Sequence, residues 1–140
     1  MLDAYAVVCY LREEEDGTEV EKLLRSPTLL SAVNAAEVVD QLVRFFGYHP
    51  DDVHADLALL SHAGMEIAPV SAEVGVLAGR LRARHYHRGK SAISMADCFA
   101  AATALTQQRP LATPDPALAA MLRAEGGTVH ALPDSTGRRP

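Results

Sequence analysis

The chain alternates short apolar runs with longer stretches of helical periodicity, and this restricts it to folds in which strands and helices take turns. A stub of strand at Leu2-Asp3 leads into a helix over Ala4 to Leu11. The acidic run Glu13 to Gly17 reads as a loop, and Val20, Leu23 and Leu24 recur at i, i+3, i+4 in a small helix. Thr28-Leu29-Leu30 is a strand feeding a helix that runs to about Phe46, with Ser31 or Asn34 as its cap. Pro50, Asp51 and Asp52 suit the first turn of the next helix, because proline needs no amide there and acids complement the dipole. Ile67 to Val70 reads as a strand, and Val74, Leu77, Ala78 and Leu81 as the buried stripe of a helix. Ser94 caps an Ala-rich helix from Met95 to about Gln107. Pro110 to Thr113 is a strand, Ala117 to Ala124 a short helix ended by Gly126-Gly127, and Thr128 to Leu132 a last strand. Strands separated by helices imply βαβ units. The expected fold class is α/β in three layers, with a central parallel sheet of about four to five short strands flanked by helices.

Composition narrows the function. The 140 residues suit one domain, expected over 1–132 with 133–140 as a flexible tail. A net charge of −5, with 49% hydrophobic and 22% charged residues, excludes a disordered chain and a general polycation. No apolar run approaches the roughly 18 residues of a membrane span, and no basic segment precedes the first apolar stretch, so a cytoplasmic protein without a membrane partner is expected. Cys9 and Cys98 lie in apolar surroundings and read as reduced core thiols. The exception to the acidic balance is Arg80 to Lys90, where Arg80, Arg82, Arg84, Arg88 and Lys90 are uninterrupted by an acid. That run is either an anion-binding surface or a solvated helix end. His85 and His87 sit among arginines, poor company for zinc. Tyr5, Tyr10, Phe45 and Phe46 read as core or interface residues.

Four acids resist a solvated-surface reading: Asp3 after the first strand stub, Glu37 early in a helix, Asp97 in the first turn of a nearly uncharged helix, and Asp115 at the end of a strand. Each has an ordinary explanation as a cap, a dipole partner or a turn residue. Together they fall at the carboxyl ends of strands, where open α/β sheets form their ligand crevice. Clustered carboxylates repel and raise one another's pKa, so a divalent cation is the natural counter-charge, and oxygen-only ligands favour Mg²⁺ or Mn²⁺.

The segments Leu2 to Val7, Ser31 to Val38, Ile93 to Ala102 and Leu111 to Asp115, in this order and spacing, resemble those of PIN-domain proteins. Within that family the chain is most similar to the VapC-type ribonuclease toxins of toxin–antitoxin pairs. The resemblance runs from residue 2 to about 132. It implies a PIN-like fold and a Mg²⁺-dependent endoribonuclease, with Mn²⁺ as a substitute, that leaves a 5′-phosphate and a 3′-hydroxyl. It also implies a cognate antitoxin and a homodimer formed through the early helices. Asp3, Glu37, Asp97 and Asp115 match the family's acidic positions, with Asp3, Asp97 and Asp115 as metal ligands and Glu37 binding directly or through water. Thr113 matches a frequent hydroxyl near the metal, Asn34 is expected to orient the site, and Asp40 either supports it or pairs with Arg44 at i, i+4. Ala4-Tyr5 departs from the family's hydroxyl just after the first acid, and the first strand is short.

An acidic pocket needs a cationic rim to capture RNA, and Arg80, Arg82, Arg84, Arg88 and Lys90 are the candidates, with Tyr86 available for stacking. Two rival readings stand beside the nuclease. One is a catalytically inactive scaffold that binds antitoxin or nucleic acid. The other is an Asp phosphoacceptor, which the position of the two lysines, Lys22 and Lys90, disfavours.

Overall fold

The computed structural model describes residues 1–13, 17–89 and 92–140. The acids Glu14, Glu15 and Asp16 of the expected loop, and Lys90 of the basic run, lie outside the described residues. Among the described residues, seven helices and four strands follow in order: α1 (Ala4–Leu11), α2 (Gly17–Leu24), β1 (Thr28–Ser31), α3 (Ala32–Arg44), α4 (Pro50–His62), β2 (Met65–Ala68), α5 (Ala72–His85), α6 (Met95–Thr106), β3 (Leu111–Thr113), α7 (Pro116–Ala124) and β4 (Val129–Ala131).

The residues before α1 unite the strands. β1 pairs with β2 and β3 with β4, both in parallel. Between these pairs lies the N-terminal stub. The Leu2 amide donates to Leu29 O at 2.8 Å, the Ala112 amide to Met1 O at 2.8 Å and the Asp3 amide to Ala112 O at 3.2 Å. The Leu2–Ala112 bridge is parallel. The spatial order is therefore β2-β1-stub-β3-β4. The chain builds outward from the stub on one side, then crosses over and builds outward on the other.

Successive strand residues face opposite sides, and that period of two makes the layers. In β3, Leu111 packs with Val74, Leu81, Leu118 and Leu122, whereas its neighbour Ala112 packs with Leu2, Val7, Leu30 and Val38. Helices α1 to α4 supply one apolar layer and α5 to α7 the other, giving the three-layer α/β fold expected. Cys9 and Cys98 are buried and not joined in a disulfide. Burial pushes the Cys98 thiol up to about 11, with Asp97 adding to the rise, so it is inert at neutral pH.

Local chemistry fixes the element ends. Pro50 occupies the first turn of α4, with His49 as its cap. α7 stops at Gly126, whose φ of +79° suits a residue without Cβ. At Gly127 a Cβ would come within 2.7 Å of Leu122 Cγ, so the return into β4 passes directly over the α7 core face. β2 begins two residues earlier than the sequence suggests, because Met65 rather than Ile67 pairs with Thr28, and Pro69 has no amide to extend the ladder. α3 ends at Arg44, short of Phe46. Phe45 and Phe46 are not core: they are 64% and 42% exposed, with the Arg44 and Arg12 guanidinium groups stacked over their rings. The segment 133–140 carries hydrogen bonds within itself and to the body. No helix among the described residues is long and apolar enough to cross a membrane.

Candidate active site

The crossover between stub and β3 is a topological switch point, and the crevice beyond it is where an open parallel sheet binds ligands. Three adjacent strand segments end there on polar residues, Asp3, Ser31 and Thr113. All three are buried, as is Asn34 one turn into α3. Four of the five buried polar residues among those described lie at this one edge. Burial of polar groups carries a penalty unless they are bonded, so their concentration here reflects a built site.

Helix starts supply the bonds. Asp3 caps α1, its Oδ1 accepting the Ala6 amide at 2.8 Å. Ser31 caps α3 by accepting the Asn34 amide. Ser94 and Asp97 form a reciprocal capping box on α6, with the Ser94 amide 2.7 Å from Asp97 Oδ2 and the Asp97 amide 2.9 Å from Ser94 Oγ. Asp115 caps α7, its Oδ1 accepting from Ala117 at 2.6 Å and Leu118 at 2.8 Å. Asp3, Glu37, Asp97 and Asp115 thus line one cleft of about 400 Å³, together with Tyr5, Gln41, Ser94 and Asp134.

The acids interact across this cleft. Burial raises the Asp3 carboxyl to about 7. The Thr113 hydroxyl and the Ala6 amide oppose the rise by hydrogen bonding, and the charges of Asp97 and Asp115 add to it. Thr113 Oγ1 accepts the Asp115 amide at 3.0 Å, which leaves its own proton for Asp3. Glu37 is also raised, chiefly by burial and then by Asp97, while hydrogen bonds from Asn34 and Gln41 hold it down. Asn34 is a hub: its side-chain carbonyl accepts the Ser31 hydroxyl, and its Nδ2 donates to Glu37 Oε2 at 3.3 Å and to Ala96 O at 3.5 Å.

Other sequence candidates fall elsewhere. Asp40 does not line the cleft; it is exposed and bonds Arg44 at 2.7 Å, the alternative that i, i+4 spacing offered. None of Arg80, Arg82, Arg84 and Arg88 lines the cleft. Arg82 donates to Ile93 O and stacks on Tyr86, so that ring already carries a guanidinium on one face. Arg84 and His85 both bond Glu125, at 2.7 and 2.6 Å. Arg80 and Arg88 have no hydrogen bond or ion pair among the described residues. Sequence reasoning missed Gln41, which holds Glu37 at 3.3 Å from one turn on, and Asp134, which reaches the cleft from the tail. The i, i+4 spacing of Glu37 and Gln41 was a usable signal. Nothing local marked Asp134.

The donors suit a hard divalent cation in kind: they are all oxygen, and a buried carboxyl raised by burial and like charge is a group that a cation relieves. Among the described residues, no three Asp, Glu, His or Cys side chains stand close enough to ligate one ion together. A divalent ion here would take at most two of these carboxylates directly and reach the others through water, as Mg²⁺ does in sites where it keeps much of its hydration.

A parallel α/β protein with an acidic cleft at its switch point is the class that fold and site define. Residues 1–122 match the family model of the PIN domain, and the chain belongs to the PIN-domain family. No curated protein matches it significantly. Among solved structures it is similar to the structure of FitAB bound to an IR36 DNA fragment (TM-score 0.67, 21% identity, 92% of each chain covered). It is also similar to FitAcB from Neisseria gonorrhoeae (TM-score 0.64, 22% identity, 91% of this chain and 94% of that one). A toxin–antitoxin complex from Klebsiella pneumoniae aligns with TM-score 0.62 and 14% identity, over 81% of this chain and 84% of that one.

Proposed function

We propose that the protein is a Mg²⁺-dependent endoribonuclease, the toxin of a toxin–antitoxin pair, with Mn²⁺ able to replace Mg²⁺. The single observation that carries this reading is the gathering of Asp3, Glu37, Asp97 and Asp115, distant in sequence, around one cleft of a PIN domain. Asp3, Asp97 and Asp115 would hold the ion, one or two of them directly and the rest through its waters, and Glu37 would act directly or through water. When bound, Mg²⁺ supplies Lewis acidity toward the phosphodiester and a lowered pKa for water.

The chain's own residues do the rest. Thr113 orients Asp3 through its hydroxyl proton. Asn34 and Gln41 fix the two Glu37 oxygens, so that carboxylate faces the cleft in one orientation. The capping bonds of Asp97 and Asp115 each occupy one oxygen, leaving Asp97 Oδ1 and Asp115 Oδ2 for other work. In the metal-free protein Asp3 holds a proton over much of the range below pH 7, which limits the repulsion among the acids. Among the described residues of the basic run, Arg80 and Arg88 are available to a phosphate backbone.

The similar structures include a toxin–antitoxin complex and FitAB bound to a DNA fragment, which supports an antitoxin partner here. The exposed Phe45 and Phe46 beyond α3 suit a protein contact, either antitoxin or a second copy joined through the early helices. A second reading, a catalytically silent module acting through an antitoxin, draws on the same capping bonds, since Asp3, Asp97 and Asp115 each serve a helix start. Incubation with RNA separates the two. Cleavage with Mg²⁺ or Mn²⁺ that stops with chelator and with Asp97→Asn supports the nuclease. Cleavage that survives both treatments overturns the metal mechanism, and no cleavage under any condition favours the silent module.

A further inference from the structure

A cleft walled by carboxylates repels a polyanion at every point except where a cation stands beside it, and none of the cleft-lining residues is basic. The C-terminal segment changes that at one place. Asp134 lines the cleft, and its Oδ1 accepts three bonds, from the Thr136 amide at 2.8 Å, the Thr136 hydroxyl at 2.6 Å and the Arg138 amide at 3.0 Å. The Asp134 amide in turn donates to Arg138 O at 2.7 Å, and the Gly137 amide to Asp134 O at 2.8 Å. Residues 134–138 therefore form a closed turn whose first residue is in the cleft wall and whose last is tied to it by one backbone–backbone bond and by the bond from its amide to the Asp134 carboxylate. Gly137, at φ +78°, lets the chain reverse there.

The turn is fastened to the body on its far side. Arg139 bonds Glu19 of α2 at 2.5 Å and the Ala131 carbonyl at 2.5 Å, and Arg123 of α7 donates to Pro140 O at 3.3 Å. Two arginines are thereby spent on holding the segment. The third, Arg138, is exposed, and its guanidinium has no hydrogen bond or ion pair among the described residues. Its charge is felt by Asp134, whose carboxyl lies below the ordinary range mainly through the Thr136 and Arg138 bonds and lastly through that charge.

We infer that Arg138, presented at the cleft rim by the Asp134-closed turn, is a phosphate-contacting residue for the single-stranded RNA substrate. The inference rests on the nuclease reading and extends it to a segment beyond the residues matched to the PIN domain. Arg138 acts as a point of backbone capture, indifferent to sequence, and Asp134 is its positioning residue.

The test is binding of a fluorescein-labelled single-stranded oligoribonucleotide, by anisotropy across a salt series, to the Asp97→Asn protein with Mg²⁺ present. In that background Arg138→Gln is expected to weaken binding roughly fivefold and to lower the slope of log affinity against log salt by about 0.7. Arg138→Lys should restore most of the affinity. Asp134→Ala, which opens the turn, should lose as much as Arg138→Gln, while Asp134→Asn, which keeps the accepting oxygen, should not. An unchanged slope in Arg138→Gln overturns the role of Arg138 and leaves the nuclease reading intact. Failure of both the Asp97→Asn parent and the unsubstituted protein to bind RNA removes both.

Discussion

Asn34 Nδ2 stands 3.3 Å from Glu37 Oε2, and the same amide group reaches the Ala96 carbonyl beside Asp97. One buried side chain therefore ties the acid of α3 to the start of α6. Replacing it by alanine leaves the Ser31 hydroxyl and the Ala96 carbonyl without this partner and frees Glu37 to rotate. Asn34→Ala is expected to lose about 1–3 kcal/mol in urea unfolding and to cut the RNA cleavage rate more than the affinity for RNA. An unchanged rate would show that Glu37 needs no such support.

Asp3 gives the account a pH signature. Its folded-state pKa, raised to about 7 by burial, lies above the ordinary 3.8. Between these values the folded protein binds more protons at this site than the unfolded chain does, so this contribution to stability falls as pH rises from about 5 to 7. The lowered carboxylates Glu19, Asp40, Glu125 and Asp134 act oppositely, but their gain is complete at the acid end of that window. Metal-free protein is expected to melt lower at pH 7 than at pH 5.5. Asp3→Asn should flatten the difference and raise the melting temperature at pH 7 by about 2–5 °C. A melting temperature that climbs from pH 5.5 to 7 in the parent, with no effect of Asp3→Asn, would contradict the burial of an uncompensated acid.

Asp115 has two duties that substitution can separate. Its Oδ1 caps α7, and Asn preserves that acceptor while removing the charge. Asp115→Asn should leave stability within about 0.5 kcal/mol of the parent, whereas Asp115→Ala should lose about 1 kcal/mol. Both are expected to reduce Mg²⁺ affinity. Chemical unfolding together with metal titration reads the two duties independently; equal metal affinity in all three proteins would confine Asp115 to capping.

Much of this was visible in the chain itself. The βαβ rhythm set the layers, the caps expected at Ser31 or Asn34 and at Ser94 marked where α3 and α6 begin, and Pro50 marked the first turn of α4. The four acids were legible because each stood in an apolar segment at a strand or helix boundary. What stayed hidden depended on tertiary packing. Met65 rather than Ile67 opens β2 because register with Thr28 decides it, and nothing in a tetrapeptide states its partner. Phe45 and Phe46 read as core or interface in sequence, and it takes the fold to decide against core: α3 ends before them and arginines cover their faces. Arg84 looks like part of an anion-binding run, but Glu125 from α7 claims it. Asp134 is a turn residue by composition, and only the fold carries that turn to the cleft.

The central claim is that the carboxylates of this cleft jointly bind a divalent cation, and calorimetric titration of Mg²⁺ and Mn²⁺ into the protein at pH 7.5 tests it most directly. Saturable binding that is lost in the Asp3→Asn/Asp97→Asn double variant, with the variant still folded by its melting curve, is the predicted result. No saturable heat with either ion, or equal binding by parent and double variant, would contradict it.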